Sequence, residues 1–343
     1  MRRSTAGEGG TGARFGWTGL GLSVACVQLL TGAMLPDQTL SLIQQVPRNP
    51  VAGRRLYVDP NSEAKRQAET LRRSRPQDAQ LIAQIANQPV AKWMGDWVRD
   101  IGREVDNAVS TITRSGALPV FVAYNIPGRD CGLYSAGGAK GSNAYRNWIR
   151  SFANGLRGRQ ALVVLEPDAL AGMDCLTAAN KQERLALLKD AVQVLKKQKA
   201  SVYIDAGNAK WKSAEEMAIR LKQADIASAD GFSLNVSNYF NNALNIAYGE
   251  RVSRLVGGKH FLIDTSRNGL GTATNWCNPR GQALGVVPTT NTGHPLVDAF
   301  LWVKQPGESD GTCAGGPRAG SWWSDIAIEL SRAASTLSRG FGR

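Results

Sequence analysis

Apolar runs and helical segments alternate along most of this chain, and that alternation restricts its fold more than any other feature. Short apolar or β-branched runs recur at 56–58, 118–124, 161–165, 201–205, 231–236, 260–264 and 299–303. Between them lie longer stretches with helical spacing, among them 144–156, 181–197, 213–223 and 244–255. Runs that are apolar throughout suit strands buried on both faces, and strands that alternate with helices imply an α/β fold with a parallel, helix-covered sheet. Seven such runs over about 290 residues suit a closed or nearly closed TIM-like β/α barrel. A doubly wound open sheet is the alternative, although no GxGxxG follows the first run. No repeat and no Pro/Ser-rich linker divides the chain, so a single domain is expected.

Composition narrows the chemistry. The 343 residues include only two histidines, His260 and His294, which exclude HExxH and leave little for a zinc site. His260 opens the apolar run HFLID and reads as structural. No metal and no cofactor is expected, and chemistry falls to carboxylates. The net charge of +13 comes from short basic clusters without a nucleic-acid motif, so no nucleic acid is expected as a partner. Adhesion to an anionic polymer or envelope is a further reading of that charge.

The first 33 residues have the order of an export signal. Arg2, Arg3 and Arg14 precede an uncharged apolar stretch, which ends near the small residues Thr31, Gly32 and Ala33. An uncleaved anchor is the alternative. The expected organisation is therefore a signal over 1–33, an extension over 34–54, a catalytic domain over 55–338 and a tail over 339–343, in a secreted, monomeric protein without an obligate protein partner. Outside that signal four cysteines remain, Cys131, Cys175, Cys277 and Cys313, an even number that suggests two disulfides in an exported chain. Three pairings are possible, and nearest-neighbour pairing is the simplest.

The functional signal lies at the C-terminal ends of the apolar runs. Tyr124 and Asn125 lead into Arg129-Asp130; Glu166 and Asp168 come after the third run; Asp205, Asn235 and Asp264 end the next three; Lys304, Glu308 and Asp310 come after the last. In a parallel barrel these ends share one rim, where active sites are built. Trp93, Trp211, Trp276 and Trp302 lie near the same loops. Carboxylates beside flat aromatic faces fit carbohydrate, because indoles stack on pyranose C–H faces while carboxylates and amides bind hydroxyls.

The segments YNIPGRDCG (124–132), LEPDAL (165–170), YIDAG (203–207), LNVSNY (234–239), IDTSRNG (263–269), WCNP (276–279) and LWVKQPGESDGTC (301–313) resemble glycoside hydrolase family 6, the inverting cellulases. The resemblance runs over about residues 55–335. It implies a distorted seven-stranded parallel β/α barrel that hydrolyses internal β-1,4-glucosidic bonds of cellulose or related β-glucan. It also implies the pairings Cys131–Cys175 and Cys277–Cys313. By the same resemblance Asp168 is the general acid, Asp130 raises its pKa and assists, and Arg129 tempers the cluster. Asp310 is the candidate base, with a water chain from Asp130 as the alternative. An inverting pair stands ~6.5–9.5 Å apart to admit a water. Tyr124 would press on the sugar at the cleavage position. Lys304, Glu308, Asn235, Ser135 and Asn208 would bind hydroxyls, and Trp93, Trp211, Trp276 and Trp302 would be platforms.

Two positions depart from the family pattern. Ala136 stands where a serine is usual, with Ser135 beside it, and Asn208 stands where histidine is frequent. A disarmed glucan-binding protein is therefore the alternative function. Short segments after Trp276 and after Cys313 imply an open cleft and internal cleavage.

Overall fold

In the computed structural model, residues 49–340 are described; the expected export signal lies outside them. Seven parallel strands pair in chain order. They are β1 (Lys92–Met94), β2 (Val120–Ala123), β3 (Leu162–Leu165), β4 (Ser201–Asp205), β5 (Gly231–Leu234), β6 (His260–Asp264) and β7 (Val297–Leu301). The helices are α1 (Glu63–Leu71), α2 (Pro76–Ala86), α3 (Ile101–Arg114), α4 (Ser142–Leu156), α5 (Ala178–Lys197), α6 (Ala214–Gln223), α7 (Asn242–Leu255) and α8 (Ser324–Gly340). None of the described helices is long and apolar enough to cross a membrane.

The sheet curls into a distorted barrel with a seam. Between its edges the backbone contributes one hydrogen bond, from Ala91 N–H to the Trp302 carbonyl (3.0 Å). The Trp93 indole N–H adds a second link, to the Val303 carbonyl (2.7 Å). Alternation along each strand sorts the core. Leu162, Val164, Leu262, Ala299 and Leu301 fill the barrel interior. Val163, Leu165, Phe261 and Phe300 point outward beneath the helices. Loop-to-helix junctions are set by Ser62, Asp100, Thr177, Ser213 and Asn241, each of which caps a helix by accepting a backbone N–H from its first turn.

One strand differs from the sequence reading. The run at 56–58 makes only a single bridge, Leu56 to Leu118, and the first strand is Lys92–Met94. Beyond the barrel floor, a bulge between Phe261 and Leu262 leaves Asp298 without a partner in the ladder. Its carboxylate meets His260 Nδ1 (2.7 Å) and accepts the Tyr203 hydroxyl (2.5 Å). His260 is thus a buried part of the barrel floor, as its apolar setting implied.

Candidate active site

Three buried carboxylates join the strand ends from beneath. Glu166, just after β3, accepts the backbone N–H groups of Asn125 and Ile126, just after β2. Asp205, ending β4, accepts Asp168 N–H (2.9 Å), Gly207 N–H (3.0 Å) and the Ser233 hydroxyl (3.0 Å). Asp264, ending β6, accepts the N–H groups of Ser237, Ser266, Val303 and Lys304. Each one ties its own strand to the loop of a neighbour. Burial raises all three carboxyls and the amide donors oppose it; Glu166 is pushed up to about 7.

Above them opens a cavity of about 1480 Å³, lined by Asp130, Asp168, Glu308 and Asp310, with Trp93, Tyr124, Trp211, Trp276, Ser135, Asn208 and Lys304. Strained backbone surrounds its floor, for Asp130 (φ +56°), Glu166 (φ +51°) and Asp168 (φ +67°) are all left-handed. Such conformations persist only where neighbouring structure enforces them, and they cluster at functional sites. Here the enforcement includes the Asp205–Asp168 and Glu166–Asn125 hydrogen bonds.

The two walls differ in charge. Asp168 has its carboxyl held well above the ordinary range, by burial first, then by Asp205, then by Asp130. Asp205 therefore outranks Asp130 as the neighbour that raises it. Asp130 is itself raised by burial, against the Ser135 N–H (2.6 Å) and the charge of Arg129. Arg129 pairs with Asp96 (2.9 Å) and donates to the Tyr124 (3.0 Å) and Ser135 (2.8 Å) carbonyls. On the opposite wall Asp310 is bound by Arg267 through both oxygens (2.9 and 3.0 Å), by the Tyr239 hydroxyl (3.1 Å) and by Asn278 N–H (3.0 Å). Lys304 stands 4.0 Å from Asp310 and 3.4 Å from Glu308.

Of two buried candidate ligands, Asn235 is corrected and Trp302 keeps its place at the cavity. Trp302 lines the cavity although it is 2 % exposed, packs with Ile82, Leu284 and Ile326, and donates its indole N–H to the Val286 carbonyl (3.0 Å). Asn235 is fully buried, and its amide is spent on the Asp264 carbonyl (2.9 Å) and Phe240 N–H (3.2 Å). Trp211 and Trp276 are 41 % and 44 % exposed, with faces available. Trp93 stands edge-on to Tyr124, with centroids 5.1 Å apart. Asn208 is buried and accepts Lys210 N–H (3.0 Å).

Sequence reasoning missed Trp97, which is 55 % exposed in the cavity wall, and Arg267 and Tyr239, which hold Asp310. Recognising KWM as a strand would have exposed Asp96 and Trp97 as its polar and aromatic end. The cysteines pair as Cys131–Cys175 and Cys277–Cys313, anchoring a loop on each wall.

Comparison with known proteins agrees with this architecture. Residues 51–334 match the family model of Glycosyl hydrolases family 6. The chain is 44% identical over 279 residues to Endoglucanase A of Cellulomonas fimi, covering 80% of this chain and 60% of that protein. It thus spans less than two thirds of that relative. It is 42% identical to Endoglucanase 1 of Streptomyces halstedii, covering 80% of this chain and 87% of that protein. Among solved structures, the endoglucanase Cel6 of Mycobacterium tuberculosis, in complex with methyl-cellobiosyl-4-deoxy-4-thio-β-D-cellobioside, superposes with a TM-score of 0.81 at 44% identity, covering 84% of this chain and all of that one. With nearly the whole barrel and its rim matched in sequence and in structure, the chain belongs to glycosyl hydrolases family 6.

Proposed function

We propose that this protein is an endo-β-1,4-glucanase that hydrolyses cellulose or a related β-glucan with inversion at the anomeric carbon. The observation that carries the reading is the setting of Asp168, a cavity-lining carboxyl whose pKa burial and the neighbouring Asp205 raise well above the ordinary range. A glycosidic oxygen is a poor leaving group and needs a proton as its bond breaks, which a carboxyl of ordinary pKa cannot supply near neutral pH. Asp168 is the general acid.

Water activation falls to Asp130 or Asp310. Asp310 has both oxygens engaged by Arg267, and further donors on one of them, so little of its carboxylate is left to hold a water. Asp130 accepts one backbone N–H and has its pKa raised by burial, so it is the better placed of the two to take up a proton, acting through a water. Asp310, with Lys304 and Glu308, orients hydroxyls of the sugar. Tyr124, backed by Trp93 and by Arg129 at 4.8 Å from its ring, presses on the pyranose at the cleavage position. Trp211 and Trp276 are platforms for flanking sugars.

The M. tuberculosis enzyme of known structure holds a thio-linked cello-oligosaccharide, which supports a β-glucan ligand here. Residues 1–33 direct export, and two disulfides fit an oxidising compartment. The protein acts as a monomer. The test is the purified chain with carboxymethyl cellulose and cello-oligosaccharides. A steep viscosity drop per reducing end, with the α-anomer as first product by proton NMR, is expected. A β-anomer, or binding without release of reducing ends, would overturn the reading.

A further inference from the structure

The loop after β2 is closed at its base and held at its tip by one side chain. At the base Arg129 and Gly137 form an antiparallel bridge. Gly138 packs on the Ile126 carbonyl so closely that no side chain would fit there. Leu133 and Tyr134 at the tip are 57 % and 46 % exposed. Tyr134 nevertheless reaches the opposite wall. Its ring root lies on Gly311, where an added Cβ would fall 2.7 Å from both Tyr134 Cβ and Cδ1. Its ring meets Trp276, with centroids 6.0 Å apart.

These contacts join two anchored loops. Tyr134 follows Cys131, which is tied to Cys175, whereas Trp276 and Gly311 flank the Cys277–Cys313 disulfide. The bridge also joins the walls that carry Asp130 and Asp310. The next residue, Ser135, gives its N–H to Asp130 and its carbonyl to Arg129 (2.6 and 2.8 Å). The position of Tyr134 is therefore coupled to the carboxylate assigned above to water activation. It also makes the cleft less open than its short loops implied.

We infer that Tyr134 is a specificity-determining latch: docked on Gly311 and Trp276 it closes the cleft and positions Asp130 through Ser135, and it must release to admit an internal stretch of polysaccharide. This rests on the endoglucanase reading. Oligosaccharides can enter a latched cleft end-on, whereas a long polymer must wait for the open form, whose low population reduces its apparent affinity.

The experiment compares wild type, Tyr134→Ala and Tyr134→Phe on carboxymethyl cellulose and cellohexaose, with amide exchange of 131–137 measured without substrate. Phe keeps the contacts, which run through Cβ, Cγ and Cδ1. In Tyr134→Ala, kcat on cellohexaose falls about 10-fold. The polymer-to-oligosaccharide ratio of kcat/KM rises about 5-fold as the closed-state penalty is removed. Loop exchange rises about 10-fold or more. Phe restores all three. Equal losses on both substrates, unchanged exchange, or a Phe variant that behaves as Ala would each overturn the latch. Wild type that cleaves neither substrate overturns the glucanase reading instead; the exchange comparison, which needs no turnover, then decides the latch, faster exchange in Tyr134→Ala supporting it and equal exchange overturning it.

Discussion

The β3–β4 wall and the β6–β7 wall of the cleft are built from the same residue type and reach opposite electrostatic states. On the first, Asp168 and Asp205 face each other in a buried setting where no cation among the described residues is paired with either, and both carboxyls are raised. On the second, Asp310 shares its buried space with Arg267 and has Lys304 within reach. Burial lowers the pKa of Arg267, but Asp310, with Tyr239 and Asp264, more than offsets it. Neighbours rather than residue type thus decide which aspartate can give a proton and which is held in an ion pair. The strands beneath are parallel and buried on both sides; the difference lies in Arg267 and Lys304.

Four substitutions break or sharpen this contrast. Asp168→Ala removes the proton donor and is expected to lower kcat on β-glucan by about 10³-fold with little change in stability, read from initial rates and urea unfolding. Arg267→Leu converts the second wall towards the first, leaving Asp310 buried without its cation. Loss of one partner from such a pair costs about 3–5 kcal/mol, measured as a lower urea midpoint.

Asp205→Asn reduces the negative charge facing Asp168. The acid must be protonated to act, so activity is lost as pH rises through its pKa. Removing a like charge lowers that pKa, and the alkaline limb of kcat against pH moves to lower pH. A limb that stays in place would assign the raised proton affinity to burial alone. Trp276→Ala is the mildest change, expected to weaken cello-oligosaccharide affinity by about 1 kcal/mol in calorimetry without moving the pH limb.

Much of this architecture is legible in the sequence alone. Six of the seven strands and four helices emerge from apolar runs and helical spacing, since each is long enough for its period to show. Lys92–Met94 does not, because three residues with a charged first member carry no period, and the more apolar 56–58 run takes its place. The packing of Trp302 could have been read by parity. It stands two residues from Phe300, on the outward face, whereas Leu301 and Val303 point into the barrel. Asn235 could not, since its left-handed backbone (φ +67°) breaks the alternation there. The cleft carboxylates are legible as polar strand ends. Which of them would be paired is not, because Arg267 and Asp310 are 43 residues apart and only the pairing of β6 with β7 brings them together.

The most direct test of Asp168 as proton donor is the dependence of its loss on the leaving group. Asp168→Ala and wild type would be compared on β-glucan and on an aryl cellobioside whose phenol leaves without protonation. If Asp168 supplies the proton, the variant loses about 10³-fold on glucan and stays within about 10-fold of wild type on the aryl substrate. An equal loss on both substrates would contradict that role and make Asp168 a group that binds or positions the sugar.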